Sequence, residues 1–152
     1  MSETMSAHEQ MTLAADAVRE SLDFPAEYME PAYRHGVMLY EHGQYEEAGK
    51  VFGLLAACET GNPVLWKALG SVHKVTGKHE EAVAAFGLAV STGGTDPWIP
   101  VHAAECLLHL RRFKEATAAL EHAELVADDA GSDAAGLKNR IGALKQTIVA
   151  AV

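Results

Sequence analysis

The chain has 152 residues, 49% of them hydrophobic, enough to bury one ordinary core without disulfides or a metal. Lys and Arg number 12 against 21 Asp and Glu, and the resulting net charge of −9 argues against a nucleic-acid surface, whose phosphates demand a basic face. Cys58 and Cys106 form no CxxC pair and are too few for a disulfide framework; with no apolar run of signal-peptide or membrane-span length, a soluble, intracellular protein with reduced cysteines is expected.

The first element in chain order is an amphipathic helix over residues 7–22, because Met11, Ala14, Ala15, Val18 and Leu22 fall at helical spacing before the turn signal Phe24-Pro25. It belongs to an N-terminal arm, residues 1–28, and is a candidate contact for a homodimer. Residues 29–130 repeat. A shift of 34 residues brings Gly36 onto Gly70 and Ala104, Ala48 onto Ala82 and Ala116, and Phe52 onto Phe86 and Leu120. The same shift aligns Gly43-Gln44-Tyr45-Glu46-Glu47-Ala48 with Gly77-Lys78-His79-Glu80-Glu81-Ala82 and Arg111-Arg112-Phe113-Lys114-Glu115-Ala116. Small residues at two columns predict stacked helical hairpins, the small side chains lying where paired helices approach most closely and the aromatic column filling the space between neighbouring repeats.

Punctuation then places the helices. Asn62-Pro63 and Asp96-Pro97 each set a cap residue before a first-turn proline. Gly43 and Gly77 suit the left-handed residue that ends a first helix, and Gly61 and Gly93-Gly94 suit the ends of second helices. The third hairpin has Arg111 at that stop, where a left-handed side chain costs about 1 kcal/mol, so its turn is expected to differ in detail. Helices are predicted over 30–42 and 45–58, 63–76 and 79–92, 97–110 and 113–127. Asp128-Asp129-Ala130-Gly131-Ser132 reads as a turn, and residues 131–152 as a capping helix with Leu137, Ile141, Leu144 and Ile148 on one stripe, covering the apolar face that a last repeat would expose.

Trp66-x-x-Leu69-Gly70 followed by Ala82 and Phe86 resembles the tetratricopeptide pattern over roughly residues 29–127. A narrower resemblance is carried by Asp96-Pro97-Trp98-Ile99-Pro100-Val101-His102-Ala103-Ala104-Glu105-Cys106-Leu107-Leu108 and by Tyr33 and Tyr40 before Gly43. These runs are similar to the class II chaperones of type III secretion, which hold hydrophobic translocator proteins in the bacterial cytosol before export; Lys67 and Lys74 depart from the less charged residues common there. The resemblance implies an all-α right-handed solenoid of three hairpins with an N-terminal helix and a C-terminal cap. It also implies a concave face that takes an extended client segment with proline and leucine anchors, and a cytoplasmic chaperone as the function. A general tetratricopeptide scaffold, or a regulatory co-factor of a transcription activator, is the alternative.

In a hairpin solenoid the first helices line the inner surface, so the candidate peptide-binding face is Tyr33, Val37 and Tyr40, then Val64, Lys67, Ser71 and Lys74, then Trp98, Val101, His102, Glu105 and Leu108. Tyr33 and Tyr40 are expected to face ligand, where a rigid ring gives contact area at small entropic cost. Tyr45, Phe52 and Trp66 are expected to pack, and Trp98 suits either role. His102, Cys106 and His109 stand at metal-ligand spacing on one helix, but the repeat core claims Cys106, so neither metal nor cofactor is expected. No nucleophile stands with a base and an orienting acid, and Gly93-Gly94-Thr95 lacks the lysine of a phosphate loop, so no catalysis is expected.

Overall fold

The computed structural model describes residues 24–130 and 134–152, together with Ser6, Gln10, Leu13, Ala17 and Glu20. Gln10, Leu13, Ala17 and Glu20 are helical and exposed. Met11, Ala14, Ala15, Val18 and Leu22, which carry the expected amphipathic stripe and the candidate dimer contact, lie outside the described residues. After a 3-10 turn at Ala26–Tyr28 come α1 (Met29–Glu41), α2 (Tyr45–Cys58), α3 (Pro63–Val75), α4 (His79–Ser91), α5 (Trp98–His109), α6 (Phe113–Ala130) and α7 (Ala134–Ala151), with no strand among the described residues. Neighbouring helices pack in chain order. In addition α3 touches α5 and α5 touches α7, which sets the first helices of successive hairpins along one side of the stack.

The three intrahairpin turns close in one way. Gln44, Lys78 and Arg112 donate their backbone N–H to the carbonyls of Leu39, His73 and Leu107 at 2.8–2.9 Å, the long bond of a Schellman cap. The left-handed residue before each is Gly43 at φ 76°, Gly77 at φ 76° and Arg111 at φ 57°. The third turn therefore does not differ, against expectation: Arg111 accepts the strained conformation, and its guanidinium sits 5.6 Å from the centre of the Phe113 ring. Gly93 ends α4 at φ 99°, whereas Gly61 is not left-handed, because α2 stops at Cys58 with Glu59 as its cap, in a different turn in which Asn62 N–H bonds the Glu59 carbonyl. Asn62 and Asp96 cap as expected, their side chains accepting from the backbone N–H of Val64 and Trp98 at 3.1 and 2.9 Å. α6 runs past the expected turn to Ala130, since Leu120, Ala123 and Ala127 keep a buried stripe that holds Asp128 and Asp129 helical; Gly131 and Ser132 lie outside the described residues.

The repeat columns meet inside each hairpin. A β-carbon on Gly36 would stand 2.7 Å from the Phe52 ring, and one on Gly70 would stand 2.7 Å from the Phe86 ring, distances no real contact sustains. In the third hairpin the pair is Ala104 with Leu120, both fully buried in the core shared by α5, α6 and α7. Glycine stands opposite phenylalanine and alanine opposite leucine, so the summed volume at the crossing is kept while its division changes. Ala48, Ala82 and Ala116 are likewise without exposed surface. Leu137, Ile141 and Leu144 of α7 close the last hairpin, with Ile148 packed against the same core.

Gly70→Ala tests the crossing because two effects oppose each other. Alanine gains about 1 kcal/mol in helix propensity, and overpacking against Phe86 costs about 1–3 kcal/mol. The expected result is a lower melting temperature, with Phe86→Leu costing less in the Gly70→Ala background than alone, as a double-mutant cycle by thermal melting would show.

Candidate functional site

The first helices and the loop before α5 enclose an open, mostly apolar cavity of about 510 Å³. Tyr33, Val37 and Tyr40 of α1 form one wall, Val64, Lys67 and Ser71 of α3 the floor, and Gly93 to Asp96 with Ile99 the far side. Gly94 makes that far wall possible: a β-carbon there would stand 2.6 Å from the Ala89 carbonyl oxygen. The loop as a wall was missed from sequence, where Gly93-Gly94 read only as a helix stop.

The two tyrosines have a double role. The Tyr33 ring lies 5.7 Å from that of Phe52, and Tyr40 meets Tyr45 edge to face at 5.3 Å, so both help build the core of the first hairpin as well as line the cavity. Truncating them would cost packing, which corrects the expectation of residues that only face a ligand. Val64 is half exposed in the cavity. Trp66 packs as expected, its indole N–H donating to the Thr60 carbonyl at 2.8 Å.

The floor is polar at one point. Lys67 Nζ stands 2.5 Å from Asp96 Oδ2, tying α3 to the loop, while the other Asp96 oxygen caps α5. Burial would raise the Asp96 pKa, but the Lys67 ammonium and the Trp98 N–H outweigh it and hold the carboxyl below its usual range.

Beyond Ser71 the inner face changes character. Lys74 of α3 donates to Glu105 Oε2 of α5, and Arg140 of α7 donates from Nε to Glu105 Oε1 at 2.7 Å. His102 Nδ1 lies 2.9 Å from Lys74 Nζ and 3.2 Å from Glu105 Oε2, accepting from the ammonium in one tautomer and donating to the carboxylate in the other. Burial raises the Glu105 pKa, yet hydrogen bonds from His102, Lys74 and Arg140 prevail and bring it down to about 2. Arg140 was missed from sequence: it sits on the cap, and its partner lies 35 residues away.

Two candidates leave the trough. Val101 is fully buried in the core of α5, α6 and α7 and offers no surface to a ligand. Leu108 is half-buried and packs against that same core. Trp98 stays partly exposed, its ring centre 5.9 Å from that of His102. The spaced trio of α5 is dispersed: Cys106 is buried, with its thiol pushed up to about 11 by burial, His102 turns to Lys74 and Glu105, and His109 stacks on His79 at 4.3 Å. Among the described residues no group of three His, Cys, Asp or Glu is placed to hold a metal.

The Glu105 network sets an acid limit. Its folded pKa lies below the unfolded one, so the stabilisation is complete above pH 4.5 and is lost as pH falls from 4.5 towards about 2. Glu105→Gln is expected to lower the melting temperature at pH 7 and to flatten its fall over that window; parallel acid profiles would show that the network contributes nothing.

Comparison with known proteins places this geometry. A tetratricopeptide-repeat family model matches residues 76–141. The low calcium response locus protein H of Yersinia pestis is 30% identical over 107 residues, 70% of this chain, and the match spans 64% of the length of that relative. The structure of the Yersinia enterocolitica translocator chaperone SycD in complex with a peptide of the translocator YopD superposes with a TM-score of 0.76 at 25% identity, over 82% of this chain and 94% of that one. PcrH of Pseudomonas aeruginosa, in complex with the chaperone-binding region of PopD, does so with a TM-score of 0.75 at 26% identity, over 84% and 95%. No helix of the described residues is long and apolar enough to cross a membrane. In repeat frame, helix order and path of the backbone, the chain is similar to the tetratricopeptide-repeat translocator chaperones of type III secretion.

Proposed function

We propose that this chain is a cytoplasmic chaperone of a bacterial type III secretion system. It binds hydrophobic translocator proteins through an extended segment laid in the concave groove, and keeps them soluble and apart before export. The observation that carries this is the cavity between α1, α3 and the loop from Gly93 to Asp96, an apolar recess open to solvent on a fold whose relatives SycD and PcrH are each held in complex with a translocator segment. A leucine or proline side chain seated there loses contact with water, worth about 1.5–3 kcal/mol for a leucine before the cost of ordering the segment. The tyrosine hydroxyls of α1 are polar tips that can meet the backbone of such a segment. The activity is holding by mass action, with no bond made or broken and no nucleotide consumed.

In this proposal Tyr33, Val37, Tyr40, Val64, Lys67 and Ser71 contact the apolar anchors, and Lys74, Trp98, His102 and Glu105 the remainder of the segment. Val64 separates binding from folding, because it is half exposed and stands in the first turn of α3, where an acidic residue favours the helix dipole. Val64→Asp is expected to leave the melting temperature within a degree or so of the parent while weakening a leucine- and proline-containing translocator segment by about tenfold in a calorimetric titration. Unchanged affinity would move the ligand out of this groove.

A further inference from the structure

The polar half of the concave face carries more cationic groups than its own carboxylate needs. Lys74 and Arg140 approach opposite oxygens of Glu105, so the two cations flank one acid whose side chain is only 11% exposed. Lys74 has three N–H donors and directs two, at Glu105 and His102. Arg140 directs Nε and Nη2 at Glu105, which leaves the Nη1 donors of its fork. The Arg140 side chain is 48% exposed and that of Lys74 32%, so these spare donors are open to solvent. Lys67 differs, being matched one to one with Asp96. On a chain of net charge −9, the convergence of Lys74 and Arg140 is a local excess of positive charge.

Its position relative to the cavity is set by α3. Lys67 on the cavity floor and Lys74 in the cluster are two helical turns apart, about 10 Å, a distance an extended chain covers in about three residues. We propose that Lys74 and Arg140, held in place by Glu105 and His102, form a carboxylate-binding subsite that takes an Asp or Glu side chain of the client, about three to four residues along the extended segment from the apolar anchor. The subsite rests on the peptide-binding function above and adds to it a charge preference and a register. It also gives the cap helix α7 a part in recognition, through Arg140.

Two pairs of synthetic peptides test this, alike in their leucine and proline anchors and differing within each pair in Glu or Gln at that spacing, one pair for each side of the leucine. In calorimetric titrations at low salt the Glu peptide of one orientation is expected to bind about fivefold more tightly, the range of a partly exposed ion pair, and to lose that advantage at high salt. Non-specific electrostatics would work the other way on so acidic a protein. Arg140→Gln and, separately, Lys74→Gln should bring the two peptides of that pair together. Equal affinities in both orientations, or a preference that survives both cation variants, overturns the subsite and leaves the groove intact. Failure of every peptide to bind overturns the groove and the subsite together.

Discussion

The closeness with which two helices cross inside each hairpin is the constraint on which the rest of this structure depends. At Gly36 and Gly70 the backbone of the first helix lies against a phenylalanine ring of the second, with no room for a single methyl group. The third hairpin reaches the same crossing with Ala104 and Leu120. Such a crossing fixes how far the first helix stands from the second, and so where the next hairpin can stack. A groove lined by first helices inherits its width from these contacts, which touch no ligand.

Stability and recognition draw on the same side chains. Tyr33 and Tyr40 wall the cavity with one face and pack against Phe52 and Tyr45 with another, so the cavity wall is the outer edge of the core. That arrangement keeps aromatic rings in fixed orientations, which in the proposed binding mode lowers the entropy lost when a peptide is bound. The ion pairs work at longer range. Lys67 with Asp96, and Glu105 with Lys74 and Arg140, join residues that are 29 or more positions apart in sequence and lie along the concave side. They tie the second hairpin, the third and the cap together beside the apolar core that those elements also share.

The polar and apolar halves of the groove make different demands on a partner. The cavity selects by volume and apolar surface, a weak discriminator among extended segments. Charge selects by sign and position, since a misplaced acid meets a predominantly acidic protein. In the proposed binding mode the first gives affinity and the second register.

Much of this was legible from the order of residues. The period of 34, the helix limits to within a few residues, the asparagine and aspartate caps and the left-handed Gly43 and Gly77 all follow from local rules, because periodicity, capping and glycine's backbone freedom act over a few neighbours. Six of the candidate groove residues line one cavity, helical spacing having put Tyr33, Val37 and Tyr40 on one face of α1 and Val64, Lys67 and Ser71 on one face of α3. What lay outside that reach was decided between elements. The wall from Gly93 to Asp96, the burial of Val101, the second role of Tyr33 and the bond from Arg140 to Glu105 depend on how one helix is turned against another, and that rotation is set by the volumes meeting at the crossings. Arg111 shows the same division from the other side. Its sequence position disfavours a left-handed backbone by about 1 kcal/mol, and the packing of the third hairpin, worth several times that, imposes the same turn as in the other two.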